Sequence, residues 1–228
     1  MNGIKVVAFD ADDTLWVNEP IFQTTEKQFC NLLEDFLPHH SVSKELLTIE
    51  IKNLELYGYG TKSFMLSMIE AAIKISAGTI GVETIQKIID LGKEMIHAPN
   101  ELIDGVEEVL IALQGKYRIV MATKGDLLDQ ERKLERSGLA KYFHHTEIVS
   151  EKKESDYRKL IGHLDIVPEA FLMIGNSIKS DILPILNIGG HAFHVPYHTT
   201  WEYEKVDKKI DHPKFKQLEK ITEVLNHL

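Results

Sequence analysis

The chain has 228 residues, of which 43% are hydrophobic and 27% charged, as is usual for a soluble globular protein. Its net charge of −9 argues against a nucleic acid partner, because binding to a phosphate backbone depends on cationic side chains. No apolar run approaches the roughly 18–20 residues that span a bilayer, and no secretory leader precedes the first apolar segment. The single cysteine, Cys30, fits a reducing compartment and is expected to pack inside a helix. We therefore expect a cytoplasmic protein without a membrane partner.

The first apolar segment, residues 4–9, predicts a buried strand, and the next such segment begins only at residue 117. Most of the intervening chain carries apolar residues at three- and four-residue spacing, which predicts helices. Four helices are predicted there, at residues 22–37, 43–56, 63–75 and 82–96. We therefore predict a helical domain at residues 19–99, inserted into a core formed by residues 1–18 and 100–228.

From residue 117 onward, short apolar segments alternate with helical patterns. Four further strands are predicted, at residues 117–123, 146–149, 171–174 and 192–195. Helices are predicted at 127–136, 156–164 and in the stretch after Asp181, the first of them ended by Gly138. The strands are almost continuously apolar, as expected for parallel strands covered on both faces. This alternation predicts an α/β fold with a doubly wound parallel sheet.

Three carboxylates follow the first predicted strand, at Asp10, Asp12 and Asp13. Acids at the end of a buried strand repel one another, and a divalent cation relieves that repulsion. Side chains two residues apart in an extended chain point the same way, so Asp10 and Asp12 are expected to face one site and Asp13 to point away. Oxygen ligands of this kind suit magnesium. One carboxylate can attack phosphorus, while a second can move the proton of the leaving group.

The sequence Asp10-x-Asp12-x-Thr14-Leu15 resembles the first signature of the haloacid dehalogenase superfamily, most of whose members are phosphatases. The resemblance implies a hydroxyl residue at the end of the second strand, which is Thr123 here, as a hydrogen-bond donor to phosphate. It also implies a lysine ahead of a helix that pairs with the phospho-aspartate. Lys152 is preferred because it lies five residues before Tyr157, and Lys153 is the alternative.

The last signature of the superfamily is similar to Gly175-Asn176 followed by Asp181. The resemblance implies magnesium ligands at Asp10, Asp12, Asp181 and Asn176. Asn176 replaces the more frequent aspartate, so it is expected to reach the metal through a water molecule or as a neutral ligand. The helical insert resembles a type 1 cap, which would lie over the carboxyl ends of the strands, where open α/β sheets bind ligands.

Taken together, the resemblance implies a magnesium-dependent phosphatase of a small-molecule phosphate ester that forms a phospho-aspartate on Asp10. Dehalogenation is disfavoured, because a departing halide needs no proton from Asp12. A phosphomutase of the same superfamily stays open, since mutases keep both acids. A catalytically silent binding protein is a further alternative, to which only Asn176 points. The sequence does not indicate an oligomeric state.

Four residues are weaker candidates for contacts with the substrate: Lys124, Gly125, Trp16 and Lys62. Gly125 is expected to offer a backbone N–H to phosphate, whereas Lys124 has a solvated loop position as its alternative. Trp16 is expected either at the mouth of the site or in the packed interior. Lys62 belongs to a glycine-rich connection that either reaches the leaving group or only joins two helices. Among the histidines, His191, His194 and His198 are expected in solvated loops rather than at a zinc site.

Overall fold

The computed structural model describes residues 3–206 and 209–228, so residues 1–2 and 207–208 of the predicted core lie outside the described ranges. Two compact units are present. One consists of the described residues up to Glu19 together with those from Asn100 onward, and the other of Pro20–Pro99.

The unit Pro20–Pro99 is built almost entirely from helices. They are α1 (Glu19–Leu32, whose first residue belongs to the other unit), α2 (His39–Tyr57), α3 (Thr61–Ile75) and α4 (Val82–His97). Their buried faces form one apolar cluster that includes Phe29, Leu46, Met68 and Ile88. Cys30 belongs to this cluster, and burial raises the pKa of its thiol to about 11, as expected for a packed residue rather than a reactive one.

The other unit contains a parallel sheet of six strands within the described residues. The strands are β1 (Val6–Phe9), β2 (Arg118–Lys124), β3 (His145–Val149), β4 (Phe171–Gly175), β5 (His191–His194) and β6 (Phe215–Gln217). Their order is β3-β2-β1-β4-β5-β6, and every neighbouring pair is parallel. The predicted α/β class with a doubly wound sheet is therefore confirmed.

Helices pack on both faces of the sheet. They are α5 (Val106–Leu113), α6 (Leu127–Ser137), α7 (Glu154–His163) and α8 (Leu183–Asn187). Because side chains alternate along a strand, Val7 and Phe9 of β1 enter the cluster formed with α5, whereas Val6 and Ala8 enter the cluster formed with α7 and α8. Both faces of β1 are thus buried, which explains its continuously apolar sequence.

The strand order reverses beside β1, which pairs with β2 on one side and with β4 on the other. Open α/β sheets bind ligands at such a reversal, beyond the carboxyl ends of the strands. Phe9 at the end of β1 aligns with Ile174 of β4, so the residues that follow these two strands are neighbours. The fold therefore brings Asp10 close to the segment that begins at Asn176.

The five predicted strands and the predicted helices are present with boundary shifts, and Gly138 ends α6 in the left-handed conformation as expected. Among the α-helices and strands of the described residues, α5 and β6 were not predicted. Both are short, with eight and three residues, and a short segment shows too few periods to reveal its type. None of the helices in the described part of the chain is long and apolar enough to cross a membrane.

Candidate active site

Asp10 follows β1, and its side chain is almost fully buried, at 9% exposure. The start of the loop after β1 is held to β4 by a hydrogen bond from the Asp10 backbone N–H to the carbonyl oxygen of Ile174, at 2.9 Å. Thr14 Oγ1 lies 3.2 Å from Asp10 Oδ2 and 3.4 Å from Asn176 Oδ1. One hydroxyl therefore contacts side chains from the ends of both β1 and β4.

Lys152 is the buried cation of the site. Its Nζ contacts Asp10 Oδ1 and lies 2.7 Å from Asp181 Oδ1, so it joins two carboxylates that are far apart in sequence. Burial alone would lower the pKa of Lys152, but the charges of Asp10 and Asp181 outweigh it and raise the pKa. Lys153 is exposed and sits at the N-terminal cap of α7. The structure thus places Lys152, rather than Lys153, against Asp10.

Asp181 lies on a π-helical turn, Ile178–Ile182, that follows β4. Its side chain is 1% exposed, and its Oδ2 accepts a hydrogen bond from the backbone N–H of Ser177 at 3.0 Å. Gly175 makes this placement possible, because a Cβ atom there would lie 2.3 Å from Asp181 Oδ2. π-Helical turns often occur at functional sites, where they redirect a side chain.

The buried acids outnumber the buried cation at this point. Burial raises the pKa of Asp10 to about 7; Lys152 opposes the shift, and the charges of Asp181 and Asp12 add to it. A divalent cation would relieve this excess of negative charge, and the donors available are the hard oxygens that magnesium prefers. The residues therefore fit a magnesium site built from Asp10, Asp181 and Asn176.

The carboxylate of Asp12 accepts hydrogen bonds from three other side chains. Oδ1 accepts from Trp16 Nε1 at 2.8 Å and from Lys133 Nζ at 3.1 Å, and Oδ2 accepts from Gln130 Nε2 at 2.8 Å. Both oxygens of the Asp12 side chain are thus held by nitrogen donors, and the role of Asp12 as a metal ligand stays a prediction. Asp13 points away as expected, and its carboxylate accepts the backbone N–H groups of Asn18 and Glu19.

The residues at and just beyond the end of β2 make contacts within the protein. Thr123 is buried, and its hydroxyl lies 3.4 Å from the carbonyl oxygen of Lys124; its hydrogen bond to phosphate stays a prediction. Lys124 is not a solvated loop residue, because it ends β2 and its ammonium binds Glu204 at 2.5 Å and Ser180 Oγ at 2.9 Å. The backbone N–H of Gly125 donates to the carbonyl of Val149 at 3.1 Å, so it is not offered to a phosphate group.

Trp16 and Lys62 are placed as follows. Trp16 is fully buried and packs in the apolar cluster of the sheet unit, where its Nε1 holds Asp12; of the two predicted positions, the packed one applies. Lys62 lies in the first turn of α3, in the four-helix unit, and its side chain is exposed.

The predicted loop position of His194 is wrong. His194 is the last residue of β5, is 7% exposed, and its Nε2 lies 2.9 Å from the carbonyl oxygen of Asn176. Residues 3–206 and 209–228 contain no cluster of three or more His, Cys, Asp or Glu side chains arranged to hold a metal ion. The candidate magnesium ligands are two carboxylates and an amide, so they include only two side chains of these four types.

Sequence reasoning missed several residues of this site. Gln130 and Lys133 reach Asp12 from α6, and Glu204 reaches the loop after β4 from a 3₁₀ turn, Glu202–Glu204. Ser177 and Ser180 both hydrogen-bond Glu204, the second at 2.8 Å. The three-residue spacing of Gln130 and Lys133 places them on one helix face, but a polar helix face by itself does not reveal what it contacts.

The parallel sheet, with carboxylates where its strand order reverses, defines an α/β protein of the Rossmann-like type. Its candidate site consists of carboxylates and a lysine at the strand ends. The family model for haloacid dehalogenase-like hydrolases matches residues 4–189. The chain belongs to this family, as its first and last signatures predict.

Similar proteins agree with this assignment. A solved haloacid dehalogenase-like hydrolase from Xanthomonas campestris is 38% identical, with a TM-score of 0.88 over 97% of this chain and 88% of that one. The glyceraldehyde 3-phosphate phosphatase of Pyrococcus furiosus is 24% identical over 83% of this chain and 79% of its own length. The hydrolase YfnB of Bacillus subtilis, solved with bound magnesium, shares the fold at 20% identity, with a TM-score of 0.65 over 98% of both chains.

Proposed function

We propose that the chain is a magnesium-dependent phosphatase that hydrolyses a small-molecule phosphate monoester through a phospho-aspartate on Asp10. The observation that carries the proposal is the contact of one buried lysine, Lys152, with two strand-end carboxylates, Asp10 and Asp181. Such a group provides a nucleophile and a fixed positive charge at the same point. The similarity to a phosphatase that acts on glyceraldehyde 3-phosphate favours a small phosphate ester as the substrate.

The reaction is proposed to proceed in two displacements at phosphorus. In the first, a carboxylate oxygen of Asp10 attacks phosphorus, and the bond to the leaving oxygen breaks as Asp12 gives that oxygen a proton. In the second, Asp12 takes a proton from a water molecule that attacks phosphorus, which releases inorganic phosphate and restores Asp10. Lys152 and the hydroxyl of Thr123 would offset the negative charge of the phosphoryl oxygens.

Magnesium is proposed to bind the carboxylates of Asp10 and Asp181 and the amide oxygen of Asn176. Asp12 would contribute its main-chain carbonyl oxygen, because its carboxylate already accepts from Trp16, Gln130 and Lys133. When bound, the ion supplies positive charge that stabilises the transferring phosphoryl group.

The four-helix unit is proposed to act as a cap over the strand ends, as its insertion directly after β1 suggests. Lys62 is the cap residue proposed to contact the leaving group. The substitution Lys62→Met is then expected to raise KM more than it lowers kcat, which steady-state kinetics on a hydrolysed substrate would measure. An unchanged KM would remove Lys62 from the site without affecting the roles proposed for Asp10 and Asp12.

A screen for phosphate release tests the proposal. The protein would be incubated with magnesium and a panel of sugar phosphates, nucleotides, phospho-amino acids and p-nitrophenyl phosphate. We expect release of inorganic phosphate from at least one of them, and at least a 1,000-fold loss of this activity in Asp10→Asn. Asp104→Asn, at an exposed acid, is the matched control and should keep the wild-type rate.

The alternatives are separated when sugar bisphosphates and 2-haloacids are added to the panel. Transfer of phosphate within a sugar bisphosphate without release of inorganic phosphate would identify a phosphomutase. Halide release from 2-haloacids without phosphatase activity would identify a dehalogenase. No turnover of the whole panel would favour a silent binding protein, and turnover at the wild-type rate in Asp10→Asn would overturn the phospho-aspartate mechanism.

A further inference from the structure

Both carboxylate oxygens of Asp12 are held by nitrogen donors, two of which come from one helix. Lys133 and Gln130 lie three residues apart on α6, so they project from the same side of the helix. Lys133 Nζ is 3.1 Å from Asp12 Oδ1, and Gln130 Nε2 is 2.8 Å from Asp12 Oδ2. Trp16 Nε1 completes the set at 2.8 Å from Oδ1.

The ammonium of Lys133 is fixed by more than its contact with Asp12. It donates to Asn18 Oδ1 at 2.8 Å and lies 3.7 Å from the carboxylate of Asp129, one turn before it on α6. Its side chain is only 17% exposed, and that of Asp12 is 25% exposed. An ion pair that is largely removed from water and anchored at several points holds its partner's orientation better than an exposed pair does.

Gln130 is 2% exposed, which is unusual for a glutamine and costs free energy unless its polar atoms are paired. Its Nε2 donates to Asp12 and has a longer contact, 3.4 Å, with the carbonyl of Lys124. Its Oε1 is buried and has no hydrogen-bond partner in the described part of the chain. The burial of this side chain is therefore not explained by full hydrogen bonding of its amide group. The hydrogen bond from Nε2 to Asp12 is the contact that accounts for a glutamine at this position.

We propose that Lys133 and Gln130 are positioning residues for Asp12, which hold its carboxyl group in the orientation that serves the leaving oxygen. This inference rests on the acid and base role proposed for Asp12. Three nitrogen donors from two segments hold both oxygens of this side chain, so its orientation is set by contacts with each oxygen. The ammonium of Lys133 also places a positive charge beside the carboxyl group that is proposed to exchange a proton with the leaving group.

If Lys133 and Gln130 position Asp12, the effect of replacing them should depend on the leaving group of the substrate. An alkoxide needs a proton as it departs, whereas p-nitrophenolate is stable without one. Substitution of Lys133 or Gln130 should therefore slow the hydrolysis of alkyl phosphates much more than the hydrolysis of p-nitrophenyl phosphate. The ratio kcat/KM is the right quantity, because it reports the steps up to formation of the phospho-enzyme and not the later hydrolysis.

The experiment compares kcat/KM for an alkyl phosphate that the wild type hydrolyses with kcat/KM for p-nitrophenyl phosphate. For Lys133→Met we expect a loss of about 100-fold with the alkyl ester and about tenfold or less with the aryl ester, within the usual range for general acid catalysis. Lys133→Arg should recover part of the alkyl activity. Arg132→Met, which removes an exposed cation from the same helix, is the matched control and should behave as the wild type.

A second substitution and a double variant keep the test decisive if Lys133→Met does not fold or if Lys133 acts independently of Asp12. Gln130→Met keeps the side-chain volume but donates no hydrogen bond, and should show the same selectivity for the leaving group even if Lys133→Met fails to fold. In an Asp12→Asn background, Lys133→Met should cause no further loss with the alkyl ester, because residues that act through one group are not additive.

The outcomes are distinguishable. An equal loss for both esters would show that Lys133 only attracts the anionic substrate, and an additive loss with Asp12→Asn would show that it acts independently; either result overturns the inference. Wild-type kinetics in both Lys133→Met and Gln130→Met would also overturn it. If the wild type hydrolyses no phosphate ester, or Asp12→Asn loses no alkyl activity, it is the proposed function that fails.

Discussion

Gly175 illustrates how closely the residues of this site approach one another. A Cβ atom at this position would lie 2.3 Å from Asp181 Oδ2 and 2.4 Å from its Cγ, closer than any stable contact. Gly175→Ala must therefore displace the carboxylate of Asp181, and overpacking of this kind costs about 1–3 kcal/mol. We expect a lower free energy of unfolding and at least a tenfold weaker affinity for magnesium, measured by urea unfolding and by isothermal titration calorimetry.

Gly162 provides the control for this prediction. It lies in α7, and an added Cβ atom there would meet nothing within 4 Å. Gly162→Ala should thus stabilise the protein by about 0.5–1 kcal/mol and leave magnesium binding alone. Magnesium affinity equal to that of the wild type in Gly175→Ala would remove Asp181 from the proposed ligand set.

Lys152 and Lys153 are adjacent lysines with opposite surroundings. Lys152→Met would leave Asp10 and Asp181 buried without their cation, and loss of one partner from a buried ion pair costs about 3–5 kcal/mol. Lys153→Met changes an exposed side chain and is expected to stay within about 0.5 kcal/mol of the wild type. Urea unfolding in EDTA measures both, and equal stabilities would contradict the burial and pairing of Lys152.

At the scale of secondary-structure elements, the 3₁₀ turn Glu202–Glu204 ties the end of β2 to the loop after β4. Glu204 binds Lys124 from one strand end, and Ser177 and Ser180 from the other. Burial alone would raise the pKa of Glu204, but Lys124 and the two hydroxyls outweigh it and hold the pKa below its usual value. The turn therefore fixes the loop that carries Asp181 through a buried charge.

This arrangement predicts a stability that depends on pH. Because the pKa of Glu204 is lowered by folding, its contribution is present above the unfolded pKa of about 4.3 and is lost as the pH falls through the lower folded value. Glu204→Gln should lower the free energy of unfolding by about 1–3 kcal/mol at pH 7. The difference from the wild type should shrink as the pH falls below about 4.

Urea unfolding between pH 7 and pH 3 would test this prediction. Glu202→Gln is the control, since Glu202 lies on the same turn but pairs with Lys205 at the surface, where an ion pair contributes little. A gap between Glu204→Gln and the wild type that stays constant over this range would mean that the charge of Glu204 does not matter.

At the scale of the whole molecule, the proposed metal ligands come together only when the sheet has formed. Asp10 follows β1 and Asp181 follows β4, and the pairing of these two strands makes them neighbours. A ligand that binds the folded state alone stabilises it by about 2.7 kcal/mol at 100 times its Kd. For a chain of this size that corresponds to a Tm shift of roughly 5–10 °C.

Magnesium is therefore expected to raise the Tm of EDTA-treated protein in a concentration-dependent manner, as measured by differential scanning fluorimetry. Asp181→Asn should reduce the shift strongly. A Tm that does not respond to magnesium in the wild type would contradict the proposed metal site, whereas an equal response in Asp181→Asn would contradict only that ligand.

Features that depend on residues close together in sequence were predicted better than features that depend on residues far apart. The strands and long helices were predictable because burial imposes a local period on apolar residues, and α5 and β6 were missed because they are too short to show one. Asp10 was identified by its position after a strand, and Asp181 by the resemblance of its segment to a family signature. Predictions that needed the hydrogen-bond partner of a residue, in its side chain or its backbone, fared worse, as with Lys124, Gly125 and His194.

Neighbouring residues along the chain were sufficient to predict the α/β class and the acids that follow the first strand. The packing of the folded chain was needed to show that Lys152 rather than Lys153 meets Asp10, that α6 holds Asp12, and that Glu204 binds Lys124. The physical reason is that these contacts join residues far apart in sequence. Which donor meets which acceptor depends on how strands and helices pack, and no local pattern records that.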